Sequence, residues 1–145
     1  MKLSIAQILL ESAQFAHKGD FLSKAPGTPV APSQVNLSVE LKKSDDSNTA
    51  IIRLLVTNDS PEALYEFSVI YVLILNIDLE GEIPSDDLDK RLMITGAGML
   101  FPFVRETVAN LTTRGRFGPS WLAPTDFSQI VLRNTQTPTT PANLP

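Results

Sequence analysis

Cysteine is absent from the 145 residues, which excludes disulfides, thiolate metal sites and a cysteine nucleophile. Histidine occurs once, at His17. A lone imidazole with no thiolate and no second histidine is a poor transition-metal site, so His17 is expected to be a solvated loop residue. There is no GxSxG elbow and no Gly-rich phosphate loop following a strand, and the lone His17 with no paired catalytic residues argues against a metal-dependent hydrolase. Basic residues are the minority, 12 Lys and Arg against 16 Asp and Glu, and the net charge of −4 repels phosphate backbones. Nucleic acid is therefore not an expected partner. No apolar run reaches the roughly 20 residues of a membrane-spanning helix. The most apolar stretch, FSVIYVLILNI at 67–77, is bounded by Glu66 and Asp78, so direct membrane insertion is not expected. The opening MKLSIAQILLES is interrupted by Ser4, Gln7 and Glu11 and lacks a small-residue cleavage site, which speaks against a secretory leader and for a cytoplasmic protein.

The chain does have enough apolar residues, 43%, for one domain with a real core. That domain is expected over 1–134, followed by a polar, proline-rich tail, TQTPTTPANLP at 135–145, expected to be disordered. From Leu3 to Ala16 a long strand with a bulge competes with a short helix. Residues 17–34 carry Pro26, Pro29, Pro32, Gly19 and Gly27 and read as a long loop. Three alternating segments follow, at 35–43, 50–58 and 67–77, separated by turn-rich SDDSNT and NDSPEA. They predict an antiparallel meander whose last strand is apolar on both faces: Phe67, Val69, Tyr71, Leu73 and Leu75 against Ile70, Val72 and Ile74.

After Pro84 the period becomes helical. Ser85 is placed to cap a helix, and Asp86, Asp87 and Asp89 suit the positive end of its dipole better than they suit a cation or acid–base site. Pro102 is expected to break or kink the helix, which resumes to about Thr113. Thr125 or Asp126 could cap a last short helix with Phe127, Ile130 and Val131 on one face. At helical spacing, Phe101, Val104, Val108 and Leu111 predict core or subunit interface.

Two of these segments resemble the SecB export-chaperone family. LFPFVRETVANLTTRGRF, 100–117, has an aromatic-Pro-aromatic step at Phe101, Pro102 and Phe103, then Arg105 and Glu106, then Arg114 and Gly115 at the helix end. LAPTDF, 122–127, is similar to the Leu-Ala-Pro element ahead of the family's final helix. The resemblance implies an α+β fold, a four-stranded antiparallel sheet with helices on one face, assembled as a homotetramer that is a dimer of dimers. It implies no catalytic residues, no cofactor and no metal, but an ATP-independent holdase. Its partners would be unfolded preproteins or a dedicated client such as an antitoxin. Client peptide is then expected at the loop residues Phe21, Leu22 and Val30 and at Phe127, Ile130 and Val131. The oligomer interface is expected at Phe101, Phe103, Val104, Val108 and Leu111. Typical members meet the SecA motor through carboxylates on the outer sheet surface. Here those positions hold Ser12, Ala16 and Ser68, with Glu11 and Glu66 nearby, which counts against SecA. A different reading is a non-catalytic adaptor that binds one folded partner through the exposed sheet.

Overall fold

The computed structural model describes residues 1–30, 35–58 and 61–129. Its four strands, β1 (Lys2–His17), β2 (Asn36–Lys43), β3 (Thr49–Asn58) and β4 (Tyr65–Asp78), form one antiparallel sheet in the order β1-β4-β3-β2. The meander follows from alternation and turn chemistry. Between β2 and β3 the Asp46 carboxylate accepts from Ser44 Oγ (2.6 Å) and from the Asn48 N–H (3.0 Å), while Ser47 takes a φ of 59°. Segment 3–16 resolves to the strand alternative. β1 runs the length of β4, with register shifts between Ile5 and Gln7 and between Leu10 and Ser12. FSVIYVLILNI, last in sequence among the strands, is therefore central in the sheet, paired with β1 on one edge and β3 on the other.

One long helix, α1 (Asp86–Thr112), lies across one sheet face. Its start is as expected: Ser85 Oγ accepts from the Leu88 N–H at 3.2 Å, and Lys43 reaches Asp89 at 2.6 Å. α1 continues through Pro102, so of the break or kink expected there the break does not occur. Pro102 and Gly98, whose carbonyl it leaves without a helical donor, are both on the exposed side, where water can serve that carbonyl. The expected last helix also differs. Among the described residues only a 3-10 turn, Phe127–Gln129, follows α1, and Ile130, Val131 and the 135–145 tail lie outside them.

Alternate residues of the strands meet the buried stripe of α1. Val39, Ile52, Leu54, Val56, Val69, Leu73 and Leu75 pack with Leu92, Met93, Ala97, Leu100, Val104 and Val108. At the centre the helix backbone rests on a side chain: a Cβ at Gly96 would overlap Ile52 Cδ1. Replacing Gly96 by Ala should therefore destabilise the protein by about 1–3 kcal/mol through overpacking. Urea denaturation would measure this, and a neutral or stabilising effect would contradict the close packing. Ser85→Ala should cost about 1 kcal/mol in the same assay through loss of the cap.

Candidate functional site

The two segments that flank the sheet at one end meet in an aromatic junction. His17 ends β1, Tyr65 begins β4, Phe21 opens the 3-10 turn Phe21–Ser23, and Phe117 follows α1. The His17 ring is stacked on Phe21 (4.1 Å between centroids, 22°) and lies edge-on to Tyr65 at 5.5 Å, while Phe15 meets Tyr65 at 5.1 Å. His17 Nε2 accepts from the Arg116 backbone N–H at 2.9 Å, and Arg116 Nε donates to the Lys24 carbonyl at 2.8 Å. Tyr65 OH accepts from the Phe117 N–H (2.9 Å) and donates to the Gly118 carbonyl (2.7 Å). Burial pushes this phenol up from its usual range, so it stays a neutral donor. His17 is thus a half-buried connector, not the solvated residue its sequence context suggested. Its partners lie some 50 and 100 positions away in the chain, so no local signal could have found them.

Beyond the junction Leu22 projects into solvent with 67% of its surface exposed, and Trp121 is 62% exposed. Phe21 and Val30 are half-buried. Phe127 is buried instead, edge-on to Phe101 at 5.3 Å. The 122–127 segment is pinned by Arg105 Nε donating to the Leu122 carbonyl (2.9 Å).

The opposite flank of α1 is open. Tyr71 OH hydrogen-bonds Thr107 Oγ1 at 2.6 Å and its ring faces Phe103 at 6.0 Å. These contacts show that the Met99–Phe103–Thr107 stripe looks toward β1. Ile5 pairs with Leu75 and Leu10 with Tyr71, so both lie on the helix side of the sheet, yet they are 52% and 51% exposed. With Phe103, 40% exposed, they leave apolar surface on the helix side of the sheet, and of the three the sequence reading assigned only Phe103. Of the five residues expected at an oligomer interface, Phe101, Val104 and Val108 are buried within a single chain. Phe103 and Leu111 are the two with surface left to offer.

Among the described residues, the sheet's other face has no helix on it. Leu9, Ile51, Leu55, Ile70, Val72 and Ile74 form its partly exposed apolar centre. Arg53 sits among them, paired with Glu11 at 2.6 Å and Glu40 at 3.6 Å. The bulge at Glu11 does turn that carboxylate to the outer face, but Arg53 neutralises it. Glu66, opposite Ala16, borders an open pocket of about 420 Å³ with Gln14, Thr57 and Ser68. Among the described residues, no group of three or more His, Asp or Glu side chains is arranged to hold a metal.

A family model described as Preprotein translocase subunit SecB matches residues 14–137. The chain is 32% identical over 105 residues to the protein-export protein SecB of Roseobacter denitrificans, which covers 70% of this chain and 61% of that one. It is 29% identical over 98 residues to that of Bartonella quintana, covering 66% and 60%. The chain thus spans about three-fifths of the length of the curated relatives it matches. In fold it is similar to a SecB-like chaperone of Mycobacterium tuberculosis, solved in complex with a ChAD peptide from the HigA1 antitoxin. The TM-score is 0.66 at 18% identity, over 85% of this chain and 90% of that one. A protein of unknown function from Streptococcus agalactiae gives 0.51 at 14% identity, over 86% and 98%.

Tyr65→Phe should cost about 1–3 kcal/mol in chemical denaturation, because the buried Phe117 N–H loses its acceptor. A change within error of zero would mean that water reaches this junction freely.

Proposed function

Because the chain belongs to the SecB family, we propose that it is a cytoplasmic, ATP-independent holdase that binds polypeptides in an unfolded or extended state and performs no catalysis. The observation that carries this reading is the 18–30 loop. It presents Leu22 to solvent, it is held by the His17–Phe21 stack and by hydrogen bonds such as that from Arg116 to the Lys24 carbonyl, and its described residues lie outside the core cluster. Leu22 and Trp121 are exposed apolar side chains, one on the loop and one on the segment after α1, which Arg116 ties to that loop through the Lys24 carbonyl, and each offers surface to an apolar side chain of a client. Each Leu- or Phe-sized client group buried there is worth about 1.5–3 kcal/mol whatever its sequence context, which suits a promiscuous holder of unfolded chains.

In this reading the client peptide binds at Phe21, Leu22 and Val30, while Phe127 is buried against Phe101 and supports the neighbouring segment. A second copy is placed at the α1 flank, where Phe103 and Leu111 lie beside the unpaired edge of β1. That location also accounts for the composition of α1, which is long and apolar enough to cross a membrane although the sheet buries only half of its most apolar window. A homotetramer built as a dimer of dimers satisfies both surfaces. On the outer face, Arg53 ties up Glu11 and Glu40 and leaves Glu66 as the carboxylate at the pocket. A basic SecA element finds little to hold there, which favours a dedicated client, such as an antitoxin, over general preprotein export. The same apolar outer face is the one observation in favour of an adaptor that binds a folded partner.

Stoichiometric amounts of the protein should suppress aggregation of a chemically unfolded client measured by light scattering, and failure to do so would remove the holdase reading. Leu22→Glu should weaken client binding about tenfold while leaving thermal stability within about 0.5 kcal/mol of the parent, as for other exposed positions. Light-scattering mass should report a tetramer, and Phe103→Asp should shift it to smaller species.

A further inference from the structure

We propose that His17 is a proton-operated latch that holds the 18–30 loop against the segment following α1. The inference starts from one hydrogen bond. An imidazole nitrogen can accept from an amide N–H only if it carries no proton, and Nε2 accepts from the Arg116 N–H at 2.9 Å. The closed arrangement therefore requires the neutral ring with its proton on Nδ1. A proton added at Nε2 turns the acceptor into a donor that faces another donor, and the bond is lost.

The surroundings make that loss consequential. The same ring is the stacking partner of Phe21, and the next contact along, Arg116 Nε to the Lys24 carbonyl, depends on where Arg116 is held. The rings packed on His17 are Phe15, Phe21, Phe117 and Tyr65, the last kept neutral by burial. The charged residues on the adjoining backbone are Lys18, Lys24 and Arg116, all cationic. Asp20, the acid of the loop, is exposed, and Glu66 projects from the other face of the sheet. No carboxylate contacts the ring among the described residues, so an imidazolium gains no ion pair in exchange for the bond it gives up. Opening frees Phe21 beside Leu22, which is already exposed, and enlarges the apolar surface. That last consequence rests on the holdase reading of the loop, whereas the latch itself does not.

His17 is the chain's only histidine, so its imidazole can be followed alone in the full-length protein. Nitrogen-15 shifts should report the Nδ1–H tautomer at high pH. As pH is lowered until the imidazole signal reports protonation, amide protection factors at Arg116 and at residues 20–24 should fall about five- to tenfold in step with that signal. These factors are corrected for intrinsic exchange, and the titration needs no variant. His17→Phe keeps a ring against Phe21 but has no acceptor, so its Arg116 amide should be weakly protected at every pH. An Nε2–H tautomer, or an imidazole that titrates while Arg116 keeps its protection, would overturn the latch. Client affinity measured across the same titration separates the two readings: a loop that opens with no gain in affinity supports the latch and removes the loop from the client site.

Discussion

The structure depends on how closely one helix can approach one sheet. At Gly96 there is no side chain between the helix backbone and Ile52, and from that point of contact the buried stripe of α1 extends in both directions over β3 and β4. A helix of 27 residues is about 40 Å long, enough to run the length of the sheet but only one helix wide. Four strands at nearly 5 Å spacing are broader than the stripe it covers. What it leaves bare is as important to the molecule as what it buries. On one flank the 122–127 segment packs against the helix, fastened by Arg105 and by the Phe101–Phe127 contact. On the β1 side no described segment does, and Ile5, Leu10 and Phe103 remain in solvent.

The two sheet faces are treated differently by charge as well as by packing. The helix side is apolar and largely covered by α1 except along β1, while the outer side mixes aliphatic residues with Arg53 and the carboxylates it binds. Ion pairs this exposed add little to stability. Their effect is on recognition, since a carboxylate already satisfied by a guanidinium offers little to a basic partner. The outer face therefore presents itself mainly through shape and aliphatic surface.

The aromatic junction solves a separate problem. A loop rich in proline and glycine cannot hold itself by backbone pairing, so its position is borrowed from neighbours. Tyr65 secures the segment after α1 through its hydroxyl, and Gly115 is needed beside it because a Cβ there would strike the phenol. His17 then carries the loop on that base. The parts most exposed to solvent are thus attached through the fewest groups, which is where local opening costs least.

Much of this was legible in the chain. Alternation in 35–43, 50–58 and 67–77 located three strands, and Ser85 with the following aspartates marked the helix start, because these signals are local and repeat with the period of the element. The motifs at 100–117 and 122–127 pointed to the family that the comparisons support. What the residues alone could not settle was non-local. Whether 3–16 is strand or helix depended on β4 being available to pair with it. Whether Pro102 breaks α1 depended on which side of the helix faces water. Phe101, Val104 and Val108 share a periodicity with Leu111, yet the sheet buries the first three and leaves Leu111 partly free. His17 gave no sign of its role, since the groups that hydrogen-bond it and stack on it, Arg116 and Phe21, come from other parts of the chain. The sequence by itself determined the elements and their apolar faces, because backbone preference and side-chain period act within a few residues. Only the tertiary structure decided which apolar faces stay uncovered, because that depends on the width of one helix set against the width of four strands.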